Sequence, residues 1–76
     1  MNTVKTLDLH GVRHAEVRKK LDEFIYEHMK KNTPTTHVIT GSSEQMKRIV
    51  RDLVLEYGMD CFEDPTNSGK LIIKIL

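Results

Sequence analysis

The sequence predicts an α/β fold of element order β-α-β-α-β-β with a mixed four-stranded sheet, on three observations. Hydrophobic spacing switches repeatedly between the period of two expected of a strand and the longer period of a helix. Glycine, proline or a hydroxyl residue stands at each switch. The last apolar run, "KLIIKIL", follows the turn-rich "PTNSG", as the second arm of a hairpin would.

Thr3 to Leu9 reads as the first strand, with Leu7 and Leu9 on one face and Asp8 and His10 on the other. Gly11 breaks it. From about Arg13 to Lys31, Val17, Leu21, Phe24 and Ile25 recur at helical spacing, while Arg18, Lys19, Asp22, Glu23, Glu27 and Lys30 form a solvated face. "NTP", Asn32 to Pro34, ends this helix, because proline disfavours helical geometry in the residue before it. "TTHVIT" is a short β-branched strand. Ser42 followed by Gln45 matches a capping box and starts a second helix, whose apolar stripe is Met46, Ile49, Val50, Leu53 and Tyr57. Gly58 stops that helix. "MDCFED", the loop "PTNSG" and "KLIIKIL" complete the order as strand, turn and strand.

Helical connections favour parallel pairing through right-handed crossovers, and a short loop favours an antiparallel hairpin. The last strand is apolar on both faces at Leu71, Ile72, Ile73, Ile75 and Leu76, which suits the sheet interior. The acidic "MDCFED" suits an edge. Phe24 and Tyr57 lie on apolar stripes and are expected in the core, His28 sits near a helix C-terminus, His37 belongs to a strand, and Cys61 is a small packed residue.

Seventy-six residues are expected to form one domain, 1–76, which buries only about 60% of its unfolded-chain surface. Apolar residues make up 38% and charged residues 30%, a globular balance, and the net charge of +1 gives no global attraction to nucleic acid. Any basic surface must come from local clustering. A single cysteine cannot form an internal disulfide and suits a reducing compartment. Polar residues follow Met1 directly, and no apolar run approaches the roughly 20 residues of a membrane span. The chain is therefore expected to be cytoplasmic and free of membranes.

In α/β units ligands gather where the carboxyl ends of parallel strands run into helix N-termini. One such end carries Asp8, His10, Gly11 and Arg13; the other carries Thr40, Gly41, Ser42 and Ser43. With the two strands parallel, both ends share one rim of the sheet. Gly41 permits close backbone approach, the N–H groups after Ser42 favour an anion, and Lys47 and Arg48 lie one turn further on, so a phosphate fits the chemistry. The same turn also reads as a plain helix cap. His10 can act as a general acid or base with Asp8 orienting it, or can simply end a strand while bonding nearby backbone. His10 and His14 straddle a glycine turn and do not share a helix face, so no metal site is evident. A divalent ion for hydrolysis stays unassigned.

"TLDLHGVRHAEVRKKLDEFI" resembles the opening of the Smr (small MutS-related) domain, whose first strand ends in Leu-Asp-Leu-His-Gly. "HVITGSSEQMKRIVRDLV" is similar to its second signature, a strand, a Thr-Gly turn and a helix, and "GKLIIKIL" is similar to its last strand. The resemblance implies a two-layer α/β sandwich similar to the C-terminal domain of translation initiation factor three. It also implies DNA or RNA as partner, since several family members nick or cleave nucleic acid. By matching positions it places Asp8 and His10 in the catalytic motif and Thr40 and Gly41 at the start of a phosphate-facing turn. The family's second motif is typically Gly-Lys-Gly and stands here as Gly41-Ser42-Ser43, which removes a cation and a glycine. Arg13, Lys47 or Arg48 are the residues able to replace that charge.

Three functions follow. The first is a stand-alone Smr-like domain that binds nucleic acid and acts as an endonuclease, with His10 moving the proton, Asp8 assisting and the Gly41 turn cradling phosphate. The second is a non-catalytic module that recognises branched or single-stranded nucleic acid using Arg13, Lys47, Arg48 and Lys70. The third is a protein-interaction module that keeps the fold and has lost the site.

Overall fold

The computed structural model describes residues 5–75 and contains the six elements in the expected order. These are β1 (Thr6–Asp8), α1 (His14–Lys30), β2 (Thr35–Ile39), α2 (Glu44–Glu56), β3 (Asp60–Asp64) and β4 (Asn67–Lys74). The sheet runs β1-β2-β4-β3, with β1 and β2 parallel and both contacts of β4 antiparallel. The expected start of β1 at Thr3 and end of the last strand at Leu76 lie outside the described residues.

β4 takes a central position because Leu71 and Ile73 are fully buried on one face while Ile72 is half-buried on the other. β3 takes the edge, where Asp60, Glu63 and Asp64 remain near water. The crossover through α2 makes β3 run in the same direction as β2, yet β4 is inserted between them. Both helices cover the same face of the sheet. Val17, Leu21, Phe24 and Ile25 of α1 and Met46, Val50, Leu53 and Val54 of α2 share one core with Leu9, Val38, Leu71, Ile73 and Ile75. The opposite face has no second layer among the described residues, as in a two-layer sandwich.

Helix ends depart in detail from the sequence expectation. The N-cap of α2 is Ser43, whose Oγ accepts from the Met46 N–H at 3.1 Å; the expected Ser42–Gln45 capping box is not what closes it. One residue decides this, because the turn at Thr40–Ser42 carries the chain one step further before helical geometry begins. α1 ends before Pro34 acts, at Asn32 with φ +58°, where the Thr33 N–H donates to the His28 carbonyl and the Asn32 N–H to the Met29 carbonyl. Buried His28 then places Nδ1 3.0 Å from Thr33 Oγ1, closing that end from inside the core.

α2 ends in the same kind of motif at Gly58, φ +75°, with Met59 N–H donating to the Val54 carbonyl. Tyr57 is the capping residue there and is 38% exposed, correcting its expected place in the core. The loop expected over Pro65–Gly69 is also shorter than predicted. Asp64 Oδ1 accepts from the Thr66 N–H at 2.8 Å and the Thr66 hydroxyl at 2.7 Å, so the hairpin tightens and β4 begins at Asn67. Cys61 is half-buried against the core, and burial pushes its thiol up from the ordinary value.

One core feature opposes stability. Thr36 is fully buried on the helix-facing side of β2, and among the described residues its hydroxyl has no partner. An unpaired buried hydroxyl costs free energy that a methyl group would not. Thr36→Val is expected to raise the unfolding free energy by about 1 kcal/mol, read from the urea midpoint; a lower midpoint would contradict this account of the core.

Candidate functional site

Parallel pairing of β1 with β2 brings the ends of both strands to one rim. At the first end, Leu9 continues the ladder by donating its N–H to the Ile39 carbonyl at 2.8 Å. The chain then reverses through Leu9–Val12, with the Val12 N–H bonded to the Leu9 carbonyl at 3.0 Å. Gly11 supplies the φ of +80° that the third position of such a turn requires. Asp8 braces the turn through Oδ1, which accepts from the His10 backbone N–H at 2.9 Å. The carboxylate therefore meets the His10 main chain, and no bond to the imidazole is present among the described residues. Both side chains stay exposed.

At the second end a single carbonyl organises the turn. The Gly69 carbonyl accepts from the Thr40 N–H at 2.8 Å and the Gly41 N–H at 3.1 Å. The buried Thr40 hydroxyl lies 3.0 Å from the Gly41 carbonyl and 3.3 Å from that of Gly69, so it holds the same turn by its one proton. Gly41 adopts φ +69°, and a Cβ there would lie 3.1 Å from His10 Cδ2. The imidazole thus rests against the bare Cα of Gly41, and the two sequence motifs meet at this contact.

The donors left for an anion are then specific. Thr40 and Gly41 spend their N–H groups on Gly69, and Ser43 uses its hydroxyl as a cap. Among the described residues the N–H groups of Ser42, Ser43, Glu44 and Gln45 donate to nothing else, and Ser42 and its hydroxyl are exposed. They open the α2 N-terminus, where backbone dipoles favour negative charge. α1 starts at the same rim from Arg13, an N-cap without a side-chain bond. Exposed Arg13 and Arg48 join no ion pair among the described residues.

Lys47 is placed differently. It is buried, with Nζ 3.4 Å from Glu44 Oε2 and 3.6 Å from Glu63 Oε2, and it pins the start of α2 to edge strand β3. Its charge is committed to two carboxylates. His14 stands in the first turn of α1 and His28 is in the core, so the imidazoles do not gather. No group of three His, Cys, Asp or Glu side chains able to hold a metal occurs among the described residues.

Gly69 is the participant that sequence reading missed. Its signal was present in "NSGK", where a glycine falls just inside an apolar strand. A Cβ at Gly69 would lie 3.4 Å from Gly41 Cα, in van der Waals contact, so the backbones of the two glycines pass close to one another. Gly41→Ala is expected to cost about 2 kcal/mol and to shift the His10 ring resonances, since it adds both backbone strain and a steric push. Gly58→Ala, with similar φ but open space around it, is expected to cost about 1 kcal/mol and leave His10 unmoved. Equal costs with unshifted His10 resonances would refute the contact.

Comparison with known proteins agrees with this fold. Three solved structures share the fold. The crystal structure of the Smr domain of Thermus thermophilus MutS2 superposes with a TM-score of 0.84 at 18% identity, covering 93% of this chain and 96% of that one. The solution structure of the SMR domain of NEDD4-binding protein 2 gives 0.76 at 22% identity, covering 100% and 90%. The crystal structure of YdaL, a stand-alone small MutS-related protein from Escherichia coli, gives 0.78 at 19% identity, covering 96% of this chain and 65% of that chain. No curated protein sequence matches significantly. The sequence profile of the Smr domain matches residues 7–63, from the "LDLHG" end of β1 through the Thr40–Gly41 turn and into β3: this chain belongs to the Smr domain family.

Proposed function

We propose that this Smr domain binds the phosphate backbone of nucleic acid at the β1/β2 rim, and that His10 serves as the proton-transfer group in cleaving a phosphodiester. The observation that carries the reading is the packing of His10 against Gly41, which sets an exposed imidazole beside the open N-terminus of α2. A phosphate held by the Ser42–Gln45 N–H groups and the Ser42 hydroxyl would have that ring as its neighbour. Arg13 and Arg48 supply the mobile positive charge that the missing Gly-Lys-Gly lysine does not. Lys47 is left out of the phosphate set because its charge is already matched by Glu44 and Glu63.

A binding-only reading is favoured by one observation. Asp8 Oδ1 braces the turn through the His10 N–H, so among the described residues the imidazole has no carboxylate partner of the kind that usually fixes its orientation. The two readings separate cleanly in one experiment. Purified protein is tested for binding and cleavage of single- and double-stranded DNA and RNA across a salt series, with and without Mg²⁺. Affinity is expected to fall with salt, and Arg13→Gln or Arg48→Gln to reduce the logarithmic salt slope by roughly 1 each. His10→Ala is expected to keep binding and to lose cleavage by about 10²–10⁴-fold. Cleavage that persists equally in His10→Ala would remove the catalytic role. Absence of salt-sensitive binding to any of these nucleic acids would remove both readings.

A further inference from the structure

Among the described residues no helix covers the outer face of the sheet, and its composition is not that of an ordinary solvated surface. Cross-strand register places His37 of β2 opposite Ile72 of β4, and Ile72 opposite Phe62 of β3, so an imidazole, an aliphatic chain and a phenyl ring share one row. The neighbouring row, nearer the rim, holds Asp8, Ile39 and Lys70 in register. His37, Ile39 and Ile72 are half-buried, and Phe62 is 44% exposed. The face thus runs without interruption from the phosphate-facing rim to an exposed aromatic ring.

Its charges leave no net positive charge, since Lys70 and Lys74 stand against Asp60, Asp64 and, at the rim, Asp8. Lys70 Nζ lies 3.6 Å from Asp64 Oδ2, and Lys74 stands opposite Asp60 in the β3/β4 register. Hydrogen bonds from Thr66 hold the Asp64 carboxyl below the ordinary carboxylate value, which keeps it charged against Lys70. A surface with two flat rings and no net positive charge has little to offer a row of phosphates, and much to offer the faces of bases. His37 and Phe62 lie two strand spacings apart, roughly 10 Å, which leaves room for separate stacking contacts. In a duplex the base faces are hidden; in a single strand they are free to stack on side-chain rings.

We propose that the outer sheet face receives the unpaired bases of the strand whose phosphate the rim holds, so that the ligand is single-stranded nucleic acid, with Phe62 as the principal stacking residue and His37 as the second. This rests on the rim's being a nucleic-acid site. The rim supplies phosphate contacts and the sheet supplies base contacts.

The test uses the whole chain with six-nucleotide single-stranded DNA and RNA, and hairpin duplexes of the same sequence. Affinities are measured by fluorescence anisotropy, and contacts by amide shift changes. Phe62→Leu, which keeps apolar bulk on the strand and removes the ring, is expected to weaken single-strand binding roughly tenfold and leave duplex binding unchanged. Phe62→Trp is expected to retain or improve single-strand binding. Shifts are expected both at Ser42–Gln45 and at Phe62, Ile72 and His37. Shifts confined to the rim, with Phe62→Leu binding like wild type, would overturn the base platform while leaving the rim reading intact. No binding of any oligonucleotide by wild type would overturn both. Self-association abolished by Phe62→Leu, with oligonucleotide affinity unchanged, would assign the face to a second copy of the chain and overturn the proposal.

Discussion

The site depends on the carbonyl of Gly69. It accepts the N–H groups of Thr40 and Gly41 just beyond the end of β2, and this fixes where the chain turns toward α2. Two glycine backbones approach closely there, and the space that Gly41 leaves is taken up by the ring of His10. One non-local contact thus couples three segments: the end of β1, the end of β2 and the start of β4. A side chain at Gly41 would strain its left-handed backbone and press on the imidazole, which would lose its place beside the α2 N-terminus. The constraint is steric and backbone-borne. It needs no buried ion pair and little core volume, which suits a domain with a small core.

The rest of the fold places that contact. β4 lies between β2 and β3 because it can be apolar on both faces, and its central position brings Gly69 to the end of β2. The parallel β1/β2 pair, joined by α1, brings both helix N-termini to one rim. The buried Lys47, paired with Glu44 and Glu63, anchors the first turn of α2 to the far edge of the sheet. The asymmetry of the two layers has a second consequence. One face of the sheet is sealed by helices, and the other carries rings and aliphatic chains next to the rim.

Local patterns in the sequence were enough to read the element order, the central last strand, the acidic edge and the meeting of two strand ends. Each rests on spacing or composition within a few residues, and the sheet order agrees with them. What escaped depends on contacts distant in sequence or on a single backbone angle. Ser42 and Ser43 are chemically alike, and only the turn geometry set by Gly69 selects Ser43 as the cap. Tyr57 continues the apolar stripe of α2, but the helix unwinds into its glycine cap at that position and leaves the ring exposed. Lys47 looked available because Glu63 lies on another element. Asp8 and His10 share a strand face, yet the turn at Gly11 bends the chain so that the carboxylate meets a main-chain N–H. The family resemblance named the residues of the rim; the arrangement of their donors required the structure.

The rim's role in holding an anion is tested most directly by titrating ¹⁵N-labelled protein with a 5′-phosphorylated dinucleotide and following every amide and the His10 ring. Ser42, Ser43, Glu44, Gln45 and the His10 ring are expected to shift together along one binding curve. Thr40 and Gly41, whose N–H groups are held by Gly69, should move less. Shifts centred elsewhere, or a His10 ring that does not respond while the α2 amides do, would contradict that role.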